Sequence, residues 1–320
     1  MIVLVAGGSG FVGSRVVTAL QARAPGSVRA GLRRERADFT RLGIRKSLMD
    51  AAVPATLPQA LSGVTHVVNA MMGSPASMVE TTRNLLAAAK EAGVERVVHL
   101  SSTAVFGGQE GVLRDNSGYG TDVDAYGAAK IACEELVRAS GLDWVILRPA
   151  LIHGAGSDPW TARIGRLLRQ RRLGDLAERG DGLCNLILVE DVVAAILAAL
   201  DRDEAVGQAF NLADPDPVTW NRFLMDFARL IDAVPVHRLP GWQWKAEKLA
   251  AIPLKALAIL RDKAKLSGLP VPDAITPSFA RLFAQAVRYD PAHVDERLGF
   301  SRTPYPEGLK QATTWFASRR

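Results

Sequence analysis

The chain has 320 residues, of which 48% are apolar, so it is long enough to bury the core of one large or two smaller domains. Its 39 lysines and arginines exceed the 33 acidic residues only slightly, and this scattered excess suits an anionic small molecule as well as a nucleic acid. Two distant cysteines argue against a disulfide framework or a zinc site, and no segment reads as a signal peptide or an apolar run of about 18 residues, so we expect a cytoplasmic protein.

The first apolar run leads directly into a glycine-rich turn, which reads Gly7-Gly-Ser-Gly10-Phe-Val-Gly13. Gly7 permits a tight turn, Gly10 lets the backbone approach a pyrophosphate, and Gly13 lets the following helix pack against the strand. The N–H groups at the start of that helix, at Phe11 and Val12, face an anion. The turn therefore predicts a nucleotide-binding site.

Strand-like and helical segments alternate through the first two thirds of the chain. The strand-like runs are 2–6, 28–32, 64–70, 94–101, 144–147 and 209–212. The segments with helical periodicity are 11–24, 78–92, 126–140 and 189–200. Such alternation implies right-handed crossovers and an α/β fold, a Rossmann-type doubly wound parallel sheet.

After about residue 155 the sequence changes to arginine-rich helical and proline-rich mixed segments. We expect residues 1–155 plus 186–215 to form the dinucleotide-binding domain. Residues 156–185 plus 216–320 are then a smaller, mostly helical C-terminal cap that binds the substrate.

The end of the second strand lacks the acidic residue that holds a ribose 2′-OH in many dinucleotide-binding folds. Arg33 and Arg34 stand there instead, and a guanidinium matches phosphate oxygens well. This pattern favours NADP(H) over NAD(H) as the cofactor. The same two arginines are also compatible with a solvated basic loop.

A strand ending in Ser101-Ser102 precedes a helix that carries Tyr126 and Lys130. Residues at i and i+4 share one helix face, and a cation lowers the pKa of a nearby phenol from its usual value of about 10. The Ser102 hydroxyl can hold a substrate oxygen where the phenol meets it. Alone, this Tyr-x-x-x-Lys spacing arises by chance, but after the glycine turn and the serines it predicts a proton-transfer site.

With these motifs the sequence resembles the extended short-chain dehydrogenase/reductase family, in the pattern of its dihydroflavonol reductase and 3β-hydroxysteroid dehydrogenase branch. Further carriers of the resemblance are Ser101-Ser102-Thr-Ala-Val-Phe-Gly107 and Leu147-Arg-Pro-Ala-Leu-Ile-His-Gly154. The resemblance implies that Tyr126 is the acid/base and that Lys130 lowers its pKa and binds the nicotinamide ribose. Ser102 would contact the substrate oxygen.

The resemblance also implies further cofactor contacts at Ala70, Pro149 and Ile152. It implies a homodimer formed through the helices at 78–92 and 126–140. From the pattern as a whole we expect an NADP(H)-dependent oxidoreductase that exchanges hydride with a secondary alcohol or ketone of a small, fairly apolar substrate.

Two other functions stay open. Five arginines between Arg163 and Arg172 could serve a sugar-nucleotide epimerase or dehydratase by reaching a substrate phosphate, or could line a solvated helix face. The asparagine and arginine that such enzymes use for the diphosphate are missing from the matching stretches. The second alternative is an NADP(H)-binding sensor or scaffold without catalysis, which the Tyr126 and Lys130 pair argues against.

The remaining signals are weaker. His66, His99 and His153 have no ligand partners at suitable spacing, so we expect no metal site. The basic amphipathic segment 241–265, interrupted by Pro253, could touch a membrane or admit an apolar substrate, and we expect it to pack over the substrate cleft. We expect no nucleic-acid partner and no membrane contact.

Overall fold

The computed structural model describes residues 1–263 and 271–319, which divide into two compact units. The first unit comprises Met1–Ile152, Ile187–Pro215 and Tyr289–Thr303. The second unit comprises His153–Leu186, Asp216–Arg288 and Pro304–Arg320. The sequence analysis assigned 289–303 to the cap, whereas the structure assigns this stretch to the first unit.

The strands and helices are as follows. The strands are β1 Val3–Ala6, β2 Val28–Leu32, β3 Arg45–Leu48, β4 His66–Asn69, β5 Arg96–Leu100, β6 Gly111–Leu113, β7 Asp143–Pro149, β8 Leu151–His153, β9 Leu183–Cys184, β10 Leu186–Leu188, β11 Gln208–Leu212, β12 Val218–Thr219 and β13 Val287–Tyr289. The α-helices are α1 Phe11–Arg23, α2 Ala37–Arg41, α3 Leu57–Leu61, α4 Pro75–Glu91, α5 Ala125–Arg138, α6 Arg163–Arg169, α7 Val189–Asp201, α8 Trp220–Leu230, α9 Gly241–Lys263, α10 Pro277–Leu282, α11 Ala292–Leu298 and α12 Tyr305–Ala317.

A seven-stranded parallel sheet forms the centre of the first unit, in the order β11-β7-β5-β4-β1-β2-β3. Side chains of β1 alternate between its two faces. Val3 and Val5 join the core cluster under α1 and α7, and Leu4 and Ala6 join the cluster under α3 and α4. Because both faces are covered, the strand is continuously apolar. The predicted doubly wound fold is confirmed.

Local capping explains where the helices that carry the site begin. Ser74 accepts a hydrogen bond from the Ser77 N–H (3.3 Å), and Pro75 occupies the first position of α4. This helix therefore begins three residues before its predicted start. Asp124 accepts from the Gly127 N–H (2.9 Å) at the start of α5, one residue before the predicted boundary.

The second unit is mostly helical, as predicted, and is built around aromatic side chains. Trp220 on α8 is fully buried and contacts Phe283 edge-on, with ring centroids 4.8 Å apart. The two short strands β9 and β12 pair antiparallel beside α8. Helix α9 continues through Pro253, where the sequence analysis expected a break. Pro253 is exposed, so its ring lies on the outer side of the helix.

Candidate active site

The turn after β1 is a backbone cradle that admits no side chain. Gly7 has φ +81°, and a Cβ there would lie 2.7 Å from the Ala70 carbonyl oxygen at the end of β4. A Cβ on Gly13 would lie 2.2 Å from the Gly7 carbonyl oxygen. Gly10 is the N-cap of α1 and provides no side-chain cap, so N–H groups of the first turn face outward as an anion site would require.

This cradle lies at the point where the strand order reverses, between β1 and β4. In open α/β sheets, ligands bind beyond the carboxyl ends of the strands at such a switch point. One core cluster contains Val12, and Phe11, Ala70 and Ile152 pack against it. Pro149 is buried at the end of β7. These five apolar residues are the ones predicted to contact the cofactor, and that contact stays a prediction.

Arg33 and Arg34 follow the end of β2 and are both exposed. Neither has a side-chain hydrogen bond or ion pair within the part of the chain that the structure describes. The adjacent carboxylate of Glu35 is paired with Lys46 on β3. These two guanidinium groups are therefore available for an anion.

A third arginine in this loop, Arg36, was not singled out from the sequence. Its guanidinium pairs with Asp38, with Nε 3.0 Å from Oδ1, and it also donates to the Ser9 carbonyl (3.2 Å) in the glycine turn. Arg36 thus ties the loop after β2 to the glycine cradle. Only the fold brings positions 9 and 36 together, so no sequence spacing indicated this contact.

The three predicted catalytic residues meet at the carboxyl end of β5. Ser102 follows this strand, and its hydroxyl lies close enough to Tyr126 to influence the pKa of the phenol. Lys130, one turn further along α5, is buried and donates from Nζ to the Leu100 carbonyl oxygen (2.8 Å). Its Nζ lies 5.8 Å from the centroid of the Tyr126 ring. A hydroxyl pair with an adjacent cation is an arrangement that can polarise a carbonyl oxygen and exchange a proton with it.

Burial acts in opposite directions on the two titratable groups of this trio. It raises the pKa of Tyr126 above its usual value, although the nearby Ser102 hydroxyl acts to lower it. Burial also lowers the pKa of Lys130 from 10.5 to about 8. From the sequence, the lysine is expected to lower the phenol pKa; the net shift is upward instead, because desolvation of the phenolate is the largest effect.

Behind Lys130 lies a buried polar network that the sequence analysis missed. Glu134 receives a bidentate ion pair from Arg148 on β7, at 2.8 and 2.7 Å. Its carboxylate also accepts from the Ser101 hydroxyl (2.6 Å) and the Tyr119 hydroxyl (3.0 Å). Burial acts to raise the pKa of Glu134, but these donors outweigh it, so the pKa lies below its usual value. Two features of the sequence could have indicated this network. One is a charged residue, Arg148, inside the apolar strand β7, and the other is the four-residue spacing that continues from Tyr126 and Lys130 to Glu134.

Three of the five arginines proposed for a substrate phosphate are engaged within the second unit. Arg166 makes a bidentate ion pair with Asp273 (2.7 and 2.9 Å), and Arg172 makes one with Glu247 (2.8 and 2.6 Å). Arg163 donates to the backbone carbonyl of residue 274 and stacks on an aromatic ring. These three arginines therefore do not line a solvated helix face, because each already has a partner within the second unit.

No group of histidine, cysteine or acidic side chains suited to a metal ion occurs among residues 1–263 and 271–319. His99 is completely buried on β5, and burial lowers its pKa to about 3. Both sulfhydryl groups are free and buried. Within those same residues, no helix combines the length and the apolar composition needed to cross a bilayer.

Comparison with known proteins agrees with this geometry. The sequence model of the NAD dependent epimerase/dehydratase family matches residues 3–213, which contain the glycine cradle and the Ser102, Tyr126 and Lys130 trio. Among solved structures, MoeE5 in complex with UDP-glucuronic acid and NAD superimposes with a TM-score of 0.74 over 100% of both chains, at 25% sequence identity.

Two curated relatives are similar over most of this chain. The 3beta-hydroxysteroid-dehydrogenase/decarboxylase isoform 2 of Arabidopsis thaliana is 26% identical over 75% of this chain, and the match spans 44% of that longer protein. The Sterol demethylase protein B of Methylococcus capsulatus is 28% identical over 100% of this chain and 99% of its own length.

Proposed function

The chain belongs to the NAD dependent epimerase/dehydratase family, and from that premise we propose that it is an NADP(H)-dependent oxidoreductase acting on a secondary alcohol or ketone of a small, fairly apolar substrate. As a member of this family it is an NAD(P)-dependent enzyme. The observation that carries the proposal is the placement of Ser102, Tyr126 and the buried Lys130 ammonium together at the carboxyl end of β5.

Each residue of this trio has its own role in the reaction at the substrate oxygen. Ser102 and Tyr126 present two hydroxyls that hold and polarise a carbonyl oxygen. Because the pKa of Tyr126 is raised, the phenol keeps its proton near neutrality and can donate it to that oxygen. The Lys130 cation stabilises the phenolate that this donation leaves behind. A bound nicotinamide cofactor supplies or accepts the hydride.

The glycine cradle fits such a cofactor, since Gly7 and Gly13 leave bare backbone where any Cβ would collide. Arg33 and Arg34 support NADP(H) over NAD(H). With Glu35 paired to Lys46, the loop offers two free guanidinium groups and no free neighbouring carboxylate for a ribose 2′-OH.

Replacing Arg33 and Arg34 together by alanine should weaken NADPH binding about 10- to 100-fold and leave NADH binding nearly unchanged, since charged hydrogen bonds to the phosphate are lost. The exposed Arg41 on α2, replaced by alanine, is the matched control. Equal losses for both cofactors would contradict the preference.

An apolar carbonyl substrate is supported by the engagement of Arg163, Arg166 and Arg172, which have partners within the second unit. Both curated relatives described above are named for sterol or steroid substrates. We further propose that the protein is cytoplasmic, which its two free cysteines support, and that it forms the homodimer through α4 and α5 that the family resemblance implies.

The deciding experiment measures NADPH oxidation with a panel of steroid-like and flavonoid-like ketones, beside thermal-shift assays with UDP- and GDP-sugars. The wild-type protein should oxidise NADPH with one of these ketones, and Tyr126→Phe should reduce that turnover by about 100- to 10,000-fold while NADPH affinity is kept. This result would support the proposed oxidoreductase function. Stabilisation by a nucleotide sugar together with its epimerisation or dehydration would establish the alternative enzyme. Tight NADPH binding without any turnover would indicate a sensor or scaffold.

A further inference from the structure

Among the side chains of α9 that the structure describes, the buried ones lie on one side of the helix. Trp244 is buried against Phe283, with ring centroids 5.8 Å apart. Glu247 is held by the bidentate ion pair from Arg172, and Ala251 is buried one turn later. This side fixes the helix in place without using the rest of its surface.

The opposite side presents an exposed apolar stripe at intervals of three and four residues, as on one face of a helix. The members of this stripe are Trp242, Ala246, Leu249, Pro253, Ala256 and Leu260. Leu249 is 79% exposed and Trp242 72% exposed, and the adjacent Ile252 is 77% exposed. Over 18 residues the stripe extends about 27 Å. Apolar surface of this extent on a globular protein marks an interaction site.

The charges beside the stripe have one sign. Lys245 is exposed beside the stripe, and Lys248 and Lys255 are exposed between the stripe and the anchored side of the helix. Between Trp242 and Leu260 the sequence contains one acidic residue, Glu247, and its carboxylate is buried in the pair described above. An occupant of this surface must therefore be apolar where it meets the stripe and anionic where it meets the lysines.

We propose that α9 docks this protein onto the surface of an anionic lipid bilayer, lying in the membrane plane with the stripe 242–260 inserted at the boundary of headgroups and acyl chains. Leu249, Ile252 and Leu260 enter the apolar layer, and Trp242 lies at the headgroup level, where tryptophan is enriched. The three lysines contact anionic headgroups. This revises the expectation that the protein makes no membrane contact.

A second copy of the chain fits the surface less well. In a two-fold interface through the stripe, the lysines of one copy would face either the lysines or the apolar surface of the other copy. The stripe contains no acidic residue that could pair with them. A bilayer that contains anionic lipid meets both requirements at once.

The test is flotation of the full chain with vesicles of phosphatidylcholine alone or with 30% phosphatidylglycerol, at about 0.1 M salt. We expect binding to the anionic vesicles and a marked loss of binding at higher salt. Replacing Lys245, Lys248 and Lys255 by glutamine should weaken binding about 100-fold, roughly fivefold for each lysine. Leu249→Gln with Leu260→Gln should weaken binding by more than about tenfold.

Lys310→Gln and Leu230→Gln, at exposed positions on α12 and α8, are the matched controls and should leave binding unchanged. Circular dichroism checks that every variant is folded. Absence of flotation with wild-type protein, or flotation that the α9 variants do not alter, overturns the proposal. Self-association abolished by Leu249→Gln, without vesicle binding, would overturn it in favour of a second copy.

Discussion

Tyr126 and Lys130 have usual pKa values close to each other, and their burial separates them. The phenol pKa is raised and the ammonium pKa falls to about 8, so near neutrality the tyrosine is neutral and the lysine is charged. A neutral phenol beside the Ser102 hydroxyl is a proton donor. In the oxidoreductase that we propose, this is the state that protonates the substrate oxygen when a ketone is reduced.

The pH dependence follows from the sign of the lysine shift. Lys130 is protonated below a pKa of about 8, so we expect kcat/KM for ketone reduction to be level below that pH and to fall above it. The physical reason is the loss of the cation that stabilises the phenolate. The measurement is a pH–rate profile between pH 6 and pH 10.

Lys130→Arg is the control for this prediction, because a guanidinium stays charged throughout that range. If this variant is active, its profile should lack the fall near pH 8. A wild-type profile that stays level to pH 10, or a fall that the arginine variant retains, would contradict the role of the lysine charge.

At the scale of one element, α5 carries its functional side chains and their anchor on one face. Tyr126, Lys130 and Glu134 follow each other at four-residue intervals, and the last is held by Arg148 of β7. Both members of this ion pair are almost completely buried. The pair thus fixes α5 against the sheet at the level where the phenol and the ammonium must be positioned.

Glu134→Gln should lower the free energy of unfolding by about 3–5 kcal/mol, because it leaves a buried guanidinium without its carboxylate. Chemical denaturation monitored by circular dichroism measures this loss. The exposed neighbour, changed as Glu135→Gln, should alter stability by less than about 0.5 kcal/mol.

Replacing both partners, as Glu134→Leu with Arg148→Met, should recover most of the lost stability, since no charge is then left unpaired. A single Glu134→Gln variant as stable as wild type would show that water or another carboxylate satisfies Arg148.

At the scale of the whole molecule, the late segment Tyr289–Thr303 completes the first unit. Val294 and Leu298 of α11 are fully buried in the core cluster beneath α1 and α7. The buried carboxylate of Asp115 accepts from His293 Nδ1 (2.8 Å), which ties the same segment to the loop after β6. The dinucleotide-binding unit therefore needs residues from almost the end of the chain.

Leu298→Ala should lower the free energy of unfolding by about 2–5 kcal/mol, because it opens a cavity in this core. Thermal unfolding with and without NADPH measures the effect, since a ligand of the native state raises Tm. The Tm of the variant should fall and should be partly restored by NADPH.

Leu230→Ala, at a half-exposed position of α8, is the matched control and should shift stability by less than about 0.5 kcal/mol. An unchanged Tm for Leu298→Ala would mean that α11 is not part of the first unit's core in solution.

The sequence by itself determined the strand–helix alternation, the glycine cradle and the spacing of Tyr126 and Lys130. These features depend on interactions within a few residues, such as apolar periodicity, the φ of Gly7 and the i, i+4 geometry of a helix. For the same reason the helix boundaries were accurate to within about three residues, and the capping residues explain the differences.

Only the tertiary structure decided which distant groups meet and how far each is buried. The pairing of Glu134 with Arg148, the return of 289–303 to the first unit and the exposed side of α9 all depend on contacts that no local pattern encodes. The direction of the Tyr126 shift was missed for the same reason. Desolvation depends on everything packed around a side chain, whereas the sequence displayed only its charged neighbour.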